Sequence, residues 1–313
     1  MKTNTNSSYQ DATLKRHSFW SALTYALAVL KQIRCHQWVK NSFLFIPAFF
    51  AGTIFDLQNL WLLTLGFFAF SMGASTIYII NDLADIEKDR QHPKKKFRPI
   101  ASGKISVFAA RLMLTFTLSV AIIISLFLPY QFGIVLAAYI LMNFAYCFKL
   151  KHVAFLDIII IASGFLLRVV AGGFIVQVPI TSWLVLIVFL LSLFLAFAKR
   201  RDDVLLFEKE GKEMRKCISG YNLIFVDASM AVLLAITVVC YIMYTVSPEV
   251  IARIGTEHLY ITAFPVLIGV LRYLQLTFVY QGSGSPTELL LKDTFLQIVI
   301  LIWLGIFGYV LYC

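Results

Sequence analysis

Charge is scarce in this chain. Only 14% of its 313 residues are Asp, Glu, Lys or Arg, 60% are apolar and the mean hydropathy is +0.82. A soluble domain carries about a quarter charged residues, so this composition excludes one and makes the bilayer the solvent. Cysteine is sparse too: Cys35, Cys147, Cys217, Cys240 and Cys313 form no Cys-x-x-Cys pair, which indicates neither a zinc site nor a disulfide framework. His17, His36, His92, His152 and His258 include no pair at ligand spacing. Residues 1–18 lack the apolar core of a secretory signal, so targeting is expected to rest on later segments. Residues 1–17 read as a disordered cytoplasmic leader and 18–313 as a single transmembrane domain. The formal net charge is +10, but the basic residues stand in short loops between apolar runs. There the available anions are lipid headgroups and phosphorylated substrates, and no nucleic acid is expected as a partner.

About 20 apolar residues carry a helix across the hydrocarbon core. Nine stretches are candidates: about 41–56, 60–81, 106–128, 131–148, 153–176, 181–198, 223–246, 257–279 and 293–312. The expected fold is an all-α polytopic bundle of about nine transmembrane helices. Ahead of the first, Phe19, Trp20, Leu23, Ala26, Leu27, Leu30 and Ile33 recur at helical spacing, the pattern of a helix along the interface or an extension of the first span. Nine spans with the N-terminus inside place the leader, 82–105, 149–152, 199–222 and 280–292 on the cytoplasmic side. With the first region counted to 40 and the second to 111, those segments hold 24 of the 27 Lys and Arg. The positive-inside rule therefore predicts this orientation in a bacterial inner membrane, with the site facing the cytoplasm.

The densest polar signal ends the second span. Asn81, Asp82, Asp85, Glu87 and Asp89 run into Lys94-Lys95-Lys96 and Arg98-Pro99. On a continuous helix Asp82, Asp85 and Asp89 fall at i, i+3 and i+7, and Asn81 joins Asp85 and Asp89 at i, i+4 and i+8, so oxygen ligands line one face. Carboxylates that close repel unless a cation joins them. Mg²⁺ takes a few carboxylate oxygens plus substrate phosphate oxygens, so Asn81, Asp82, Asp85 and Asp89 are the expected metal ligands, and the three aspartates the expected catalytic set. Lys95 and Arg98 then neutralise the remaining charge of a bound diphosphate. The competing reading is a solvated charged loop capping a helix.

Farther along, Asp157, Gly164 and Arg168 lie at spacings of 7 and 11, nearly on one helical face. Ionisable groups in a span are expensive, so that face should look into the bundle or a watery cavity. Asp157, about a turn from the cytoplasmic surface, is the fourth catalytic candidate; Arg168 either meets substrate or pairs with a neighbouring helix. Lys199-Arg200-Arg201-Asp202-Asp203, expected to open the loop after the sixth span, is either an anion-binding rim or a positive-inside anchor. Trp38 and Tyr146 fit interfacial anchoring as well as a site role. Gly172-Gly173 suits close helix packing, and Glu288 and Asp293 suit capping of the last span.

With these residues in view, the chain resembles the UbiA superfamily of intramembrane prenyltransferases. Their first signature, Asn-Asp-x-x-Asp-x-x-x-Asp leading to Arg-Pro, is matched here by Asn81, Asp82, Asp85, Asp89, Arg98 and Pro99. The resemblance implies a nine-helix bundle with a cavity open to the cytoplasm and to lipid. The usual second signature, an Asp-x-x-x-Asp-type run, is altered to Ala198-Lys199-Arg200-Arg201-Asp202-Asp203, which speaks against a second carboxylate-bound Mg²⁺. That change, with Gln37-Trp38-Val39-Lys40-Asn41, Leu150-Lys151-His152 and Ala162-Ser163-Gly164 through Arg168, is similar to the decaprenyl-phosphate phosphoribosyltransferase branch. The similarity covers about residues 30–312.

What that branch implies is Mg²⁺-dependent transfer of 5-phosphoribose from phosphoribosyl diphosphate to a polyprenyl phosphate in the lipid bilayer, serving arabinosylated envelope glycans. On this reading Lys40, Lys149, Lys151, Lys199 and Arg200 hold the ribose 5-phosphate or the lipid phosphate. Asn41, Asn81, Lys95, Arg98, Tyr146 and Arg168 complete the expected substrate-binding set, and Asp157 orients ribose hydroxyls or stabilises the cationic transition state. Two alternatives stand beside it. One is a prenyltransferase that moves a polyprenyl group from its diphosphate to an aromatic acceptor such as 4-hydroxybenzoate. The other is a non-catalytic transporter, whose clue would be broken helices in two related halves.

Overall fold

In hydrocarbon every backbone N–H and C=O must find its partner within the segment, so long apolar runs become helices. The computed structural model describes residues 24–148, 150–210, 218, 220–280, 289 and 292–312, and no β-strand occurs among them. Helix α1 covers 24–33. A 3₁₀ stretch Cys35–Phe45 leads to α2 (Ile46–Phe50), α3 (Leu57–Ala84) and α4 (Ile86–Gln91). Next come α5 (Val107–Ser125), α6 (Tyr130–Phe148), α7 (Leu156–Val176), α8 (Ser182–Glu210), α9 (Leu223–Thr245) and α10 (Pro248–Ile254). Helix α11 (Ala263–Leu274) continues as a π turn, Gln275–Val279, and α12 spans Thr294–Tyr312.

Among the described residues seven helical stretches are long and apolar enough to cross a membrane: α3, α5, α6, α7, most of α8, α9 and His258–Val279; Thr294–Val310 is a shorter apolar helix. The chain is thus an all-helical, multi-pass membrane protein. Eight of the nine expected spans find a helix. The first, 41–56, does not form one, because the 3₁₀ stretch gives way to five residues of α2, which Pro47 opens and a turn with Gly52 at φ +73° closes. A second difference lies in α8, which runs on to Glu210 instead of ending near 198. Arg200 and Asp203 pair at i, i+3 there at 2.6 Å, a spacing that supports a helix rather than a loop.

Two compact units divide the chain. The first comprises the described residues of Met1–Ser42 and Leu65–Leu136. Apolar surface gains nothing by leaving lipid tails for another helix, so membrane helices are held by close packing of small residues and by interhelical hydrogen bonds. On α3, Ser71, Ala74 and Ser75 are buried; Trp38 Nε1 donates to Ser75 Oγ at 3.1 Å, and Asn41 Nδ2 to Ser71 Oγ at 2.8 Å. Thr76 and Thr117 share a 2.9 Å hydroxyl bond between α3 and α5. Ala28, Ile79, Ile100, Ile105 and Ala110 form the core of this unit.

The second unit comprises Phe43–Thr64 and Ala137–Cys313 as far as they are described. Helix α8 packs between α7 and α9 around Ile158, Phe194, Phe197, Val226 and Met230. The close packing expected of Gly172 is found: a Cβ there would stand 2.0 Å from the Leu44 carbonyl oxygen.

Candidate functional site

In the first unit, α3 stops at Ala84 and Asp85 leaves the helical region at φ −103°, ψ 15°, before α4 resumes. The Asp85 N–H still donates to the Asn81 carbonyl (3.0 Å) and the Asp89 N–H to the Asp85 carbonyl (2.8 Å), so the ladder is kinked rather than lost. The continuous helix expected through the motif is corrected to two helices that meet at Asp85. Asp82 and Asp89 lie on either side of the kink, only 3% and 2% exposed.

Arg98 Nη1 donates to Asp82 Oδ1 at 2.9 Å and to Asp89 Oδ2 at 2.6 Å, so one guanidinium nitrogen bridges the two carboxylates. Asp82 also accepts from Arg34 Nη2 at 2.6 Å and Gln32 Nε2 at 3.0 Å. Arg34 sits at φ +54°, with its guanidinium over the Tyr78 ring. Asp85 pairs with Lys88 at 3.7 Å. Arg98 is set up by the turn before it, where His92 Nδ1 accepts from the N–H groups of Lys94 and Lys95 at 3.1 and 3.2 Å. Burial, then Lys95, pulls the His92 pKa below its ordinary value, which keeps Nδ1 an acceptor near neutrality.

Among the described residues no three His, Cys, Asp or Glu side chains stand close enough to hold an ion as they lie. The structure brings Asp82 and Asp89 together and turns Asp85 towards Lys88. The donor set nonetheless fits a hard cation: the candidate donors are all oxygens, and two buried carboxylates share one cationic nitrogen.

In the second unit, Asp157 is fully buried and Arg200 1% exposed. Asp157 Oδ2 accepts from Arg200 Nε at 2.7 Å and Nη2 at 2.5 Å, while Tyr221 Oη donates to Oδ1 at 2.9 Å. Arg200 Nη1 reaches Asp203 at 2.6 Å. Burial pushes the Tyr221 phenol well above its ordinary pKa, so it remains a donor at any working pH. Arg201 turns the other way, pairing with Asp227 at 2.7 Å and leaving a buried Nη1 without an acceptor. Arg200 and Arg201 are thus engaged by Asp157 of α7 and Asp227 of α9, with Asp203 the partner within their own helix.

Arg168 donates to the Gly164 carbonyl of its own helix at 2.7 Å and to Tyr139 Oη of α6 at 3.0 Å, with its guanidinium over the Tyr139 ring. Asn41 is buried on Ser71. Lys40, Lys95 and Lys199 are exposed, and Asn81, Tyr146 and Lys151 half-buried. Lys149 and Glu288 lie outside the described residues. Asp293 caps α12, accepting from the Leu296 N–H at 2.8 Å. Sequence reasoning missed Gln32, Arg34 and Tyr221 as partners of the buried aspartates. Arg34, three residues ahead of Gln37-Trp38, carried a weak signal; Tyr221 carried none.

Comparison with known proteins adds four findings. Residues 42–204 match the model of the UbiA prenyltransferase family. The chain is 35% identical over 295 residues to a decaprenyl-phosphate phosphoribosyltransferase of Mycolicibacterium smegmatis, covering 91% of this chain and 92% of that one. It is 32% identical over 279 residues to the Corynebacterium glutamicum protein of the same name, covering 88% and 84%. Its fold is similar to that of a UbiA homolog from Archaeoglobus fulgidus bound to DMAPP and Mg²⁺, with a TM-score of 0.66 and 19% identity over 90% of this chain and 98% of that one.

Proposed function

We propose, from the premise that this chain belongs to the UbiA prenyltransferase family, that it transfers 5-phosphoribose from phosphoribosyl diphosphate to a polyprenyl phosphate and releases diphosphate. The observation that carries this reading is its near full-length relatedness to decaprenyl-phosphate phosphoribosyltransferases. The paired charges of α8 agree with it: Asp203 and Asp227 are each bound by an arginine of that helix, which favours a single carboxylate-bound metal.

Asp82, Asp85 and Asp89, with Asn81, would hold Mg²⁺, which when bound offsets diphosphate charge and makes it a better leaving group. Solved UbiA homologs bound to Mg²⁺ support a divalent metal. Arg98 and Lys95 neutralise the diphosphate as it departs, and Arg34 and Gln32 hold the Asp82 carboxylate in its orientation. The C1–oxygen bond to diphosphate breaks with its electron pair, and an oxygen of the lipid phosphate bonds to C1. That oxygen is already anionic at neutral pH, so no side chain needs to remove a proton; an aromatic acceptor would require a base. Lys40, Lys149, Lys151 and Lys199 serve as ligands for substrate phosphates. The Lys/Arg distribution supports a cytoplasmic site in a bacterial inner membrane.

The test incubates the purified protein in detergent with Mg²⁺, radiolabelled phosphoribosyl diphosphate and a polyprenyl phosphate, beside a mixture of polyprenyl diphosphate and 4-hydroxybenzoate. The expected result is label in the lipid phase, abolished by EDTA. Prenylated benzoate instead would overturn the assignment of donor and acceptor.

A further inference from the structure

Phe155, the residue before α7, sits at φ +73°, ψ −44°, a backbone conformation disfavoured for any side chain with a Cβ. Such outliers persist only where their surroundings over-determine them, and they cluster at sites whose geometry has a task. What holds this one is Tyr221, 66 residues later: the Phe155 N–H donates to Tyr221 Oη at 2.6 Å. The same hydroxyl donates to Asp157, whose other oxygen is bound by Arg200. The Tyr221 ring is buried, edge-on to Phe197 and stacked on Phe225. Its position is therefore set on every side. One hydroxyl thus ties the turn that carries Lys151, four residues before Phe155, to the part of α8 that carries Lys199 beside Arg200.

We infer that Tyr221 is a positioning residue for phosphate recognition: through Phe155 and the Asp157–Arg200 pair it holds the Lys151 turn in register with the Lys199 turn. This rests on the reading above only in taking Lys151 and Lys199 as phosphate ligands. Asp157 correspondingly acts through Tyr221 and Arg200, since both of its oxygens are engaged by them.

The test compares Tyr221→Phe, Phe155→Gly and the double variant in the full chain, by KM and kcat for each substrate and by amide hydrogen exchange over 150–157. Tyr221→Phe should speed exchange of the Phe155 amide and raise KM for one phosphate-bearing substrate roughly tenfold, with kcat within about twofold. Glycine adopts positive φ without penalty, so Phe155→Gly should leave KM nearly unchanged and, added to Tyr221→Phe, recover part of the loss. If Tyr221→Phe does not fold, the Phe155→Gly background carries the comparison. Faster exchange with unchanged KM, or no rescue by the glycine, would overturn the inference and leave Tyr221 a brace. Exchange needs no substrate, and KM can be read with whichever diphosphate the enzyme accepts, so failure of the phosphoribosyl assignment is separately visible.

Discussion

At the scale of residues, the buried charges decide how much of the site was legible. Asn81, Asp82, Asp85 and Asp89 announce themselves because an Asn/Asp ladder ending an apolar span has little other use. Their partners do not: Arg34 binds Asp82 from 48 positions away, and Tyr221 binds Asp157 from 64, distances at which no periodicity connects two residues. Asp157 was readable as important from the cost of burying it, but its use as an ion-pair partner was not. Burying both ions of such a pair is expensive, and removing one strands the other. Arg200→Met should therefore lower stability by about 3–5 kcal/mol, whereas Arg200→Met with Asp157→Leu should regain most of that loss. Unfolding in detergent, followed by circular dichroism, checks both; a double variant as unstable as the single one would contradict it.

Elements were legible to the extent that they are local. Eight expected spans became helices because each satisfies its own backbone in lipid, whatever its neighbours. Boundaries were less so. Charged residues after 198 suggested a loop, yet the Arg200–Asp203 pair lets α8 continue. Helix contacts add demands that sequence only hints at: the missing Cβ of Gly172 admits the Leu44 carbonyl. Gly172→Ala should cost about 1–3 kcal/mol or prevent assembly, readable as a drop in melting temperature against Gly133→Ala, where a Cβ meets nothing within 4 Å. At α12, the Arg272 bond, more than the Leu296 N–H, holds the Asp293 carboxyl below the usual carboxylate range. A depressed carboxylate stabilises the fold above its unfolded pKa and loses that contribution as pH falls through the folded one. Exchange protection in the first turn of α12 should hold from pH 8 to about 5 and fall only in acid below the ordinary carboxylate range; in Asp293→Asn the acid step should vanish.

For the whole molecule, composition settled the solvent, and Lys/Arg asymmetry predicts the orientation. A phosphatase reporter fused after Arg90 should be inactive, since that segment stays with the cytoplasmic basic residues, and one fused after Ser247 should be active; the reverse pattern would refute the proposed topology. The sequence by itself determined the all-helical membrane class and the carboxylate motif. Both follow from local demands, the first from satisfying backbone groups in lipid and the second from the close spacing of oxygen-bearing side chains at the end of an apolar run. Only the tertiary structure decided the kink at Asp85, the bridging of Asp82 and Asp89 by Arg98, and the closure of Asp157 by Arg200 and Tyr221. Those depend on which distant donors are buried with each carboxylate, and in a low-dielectric interior a buried charge takes whatever donor packing delivers to it.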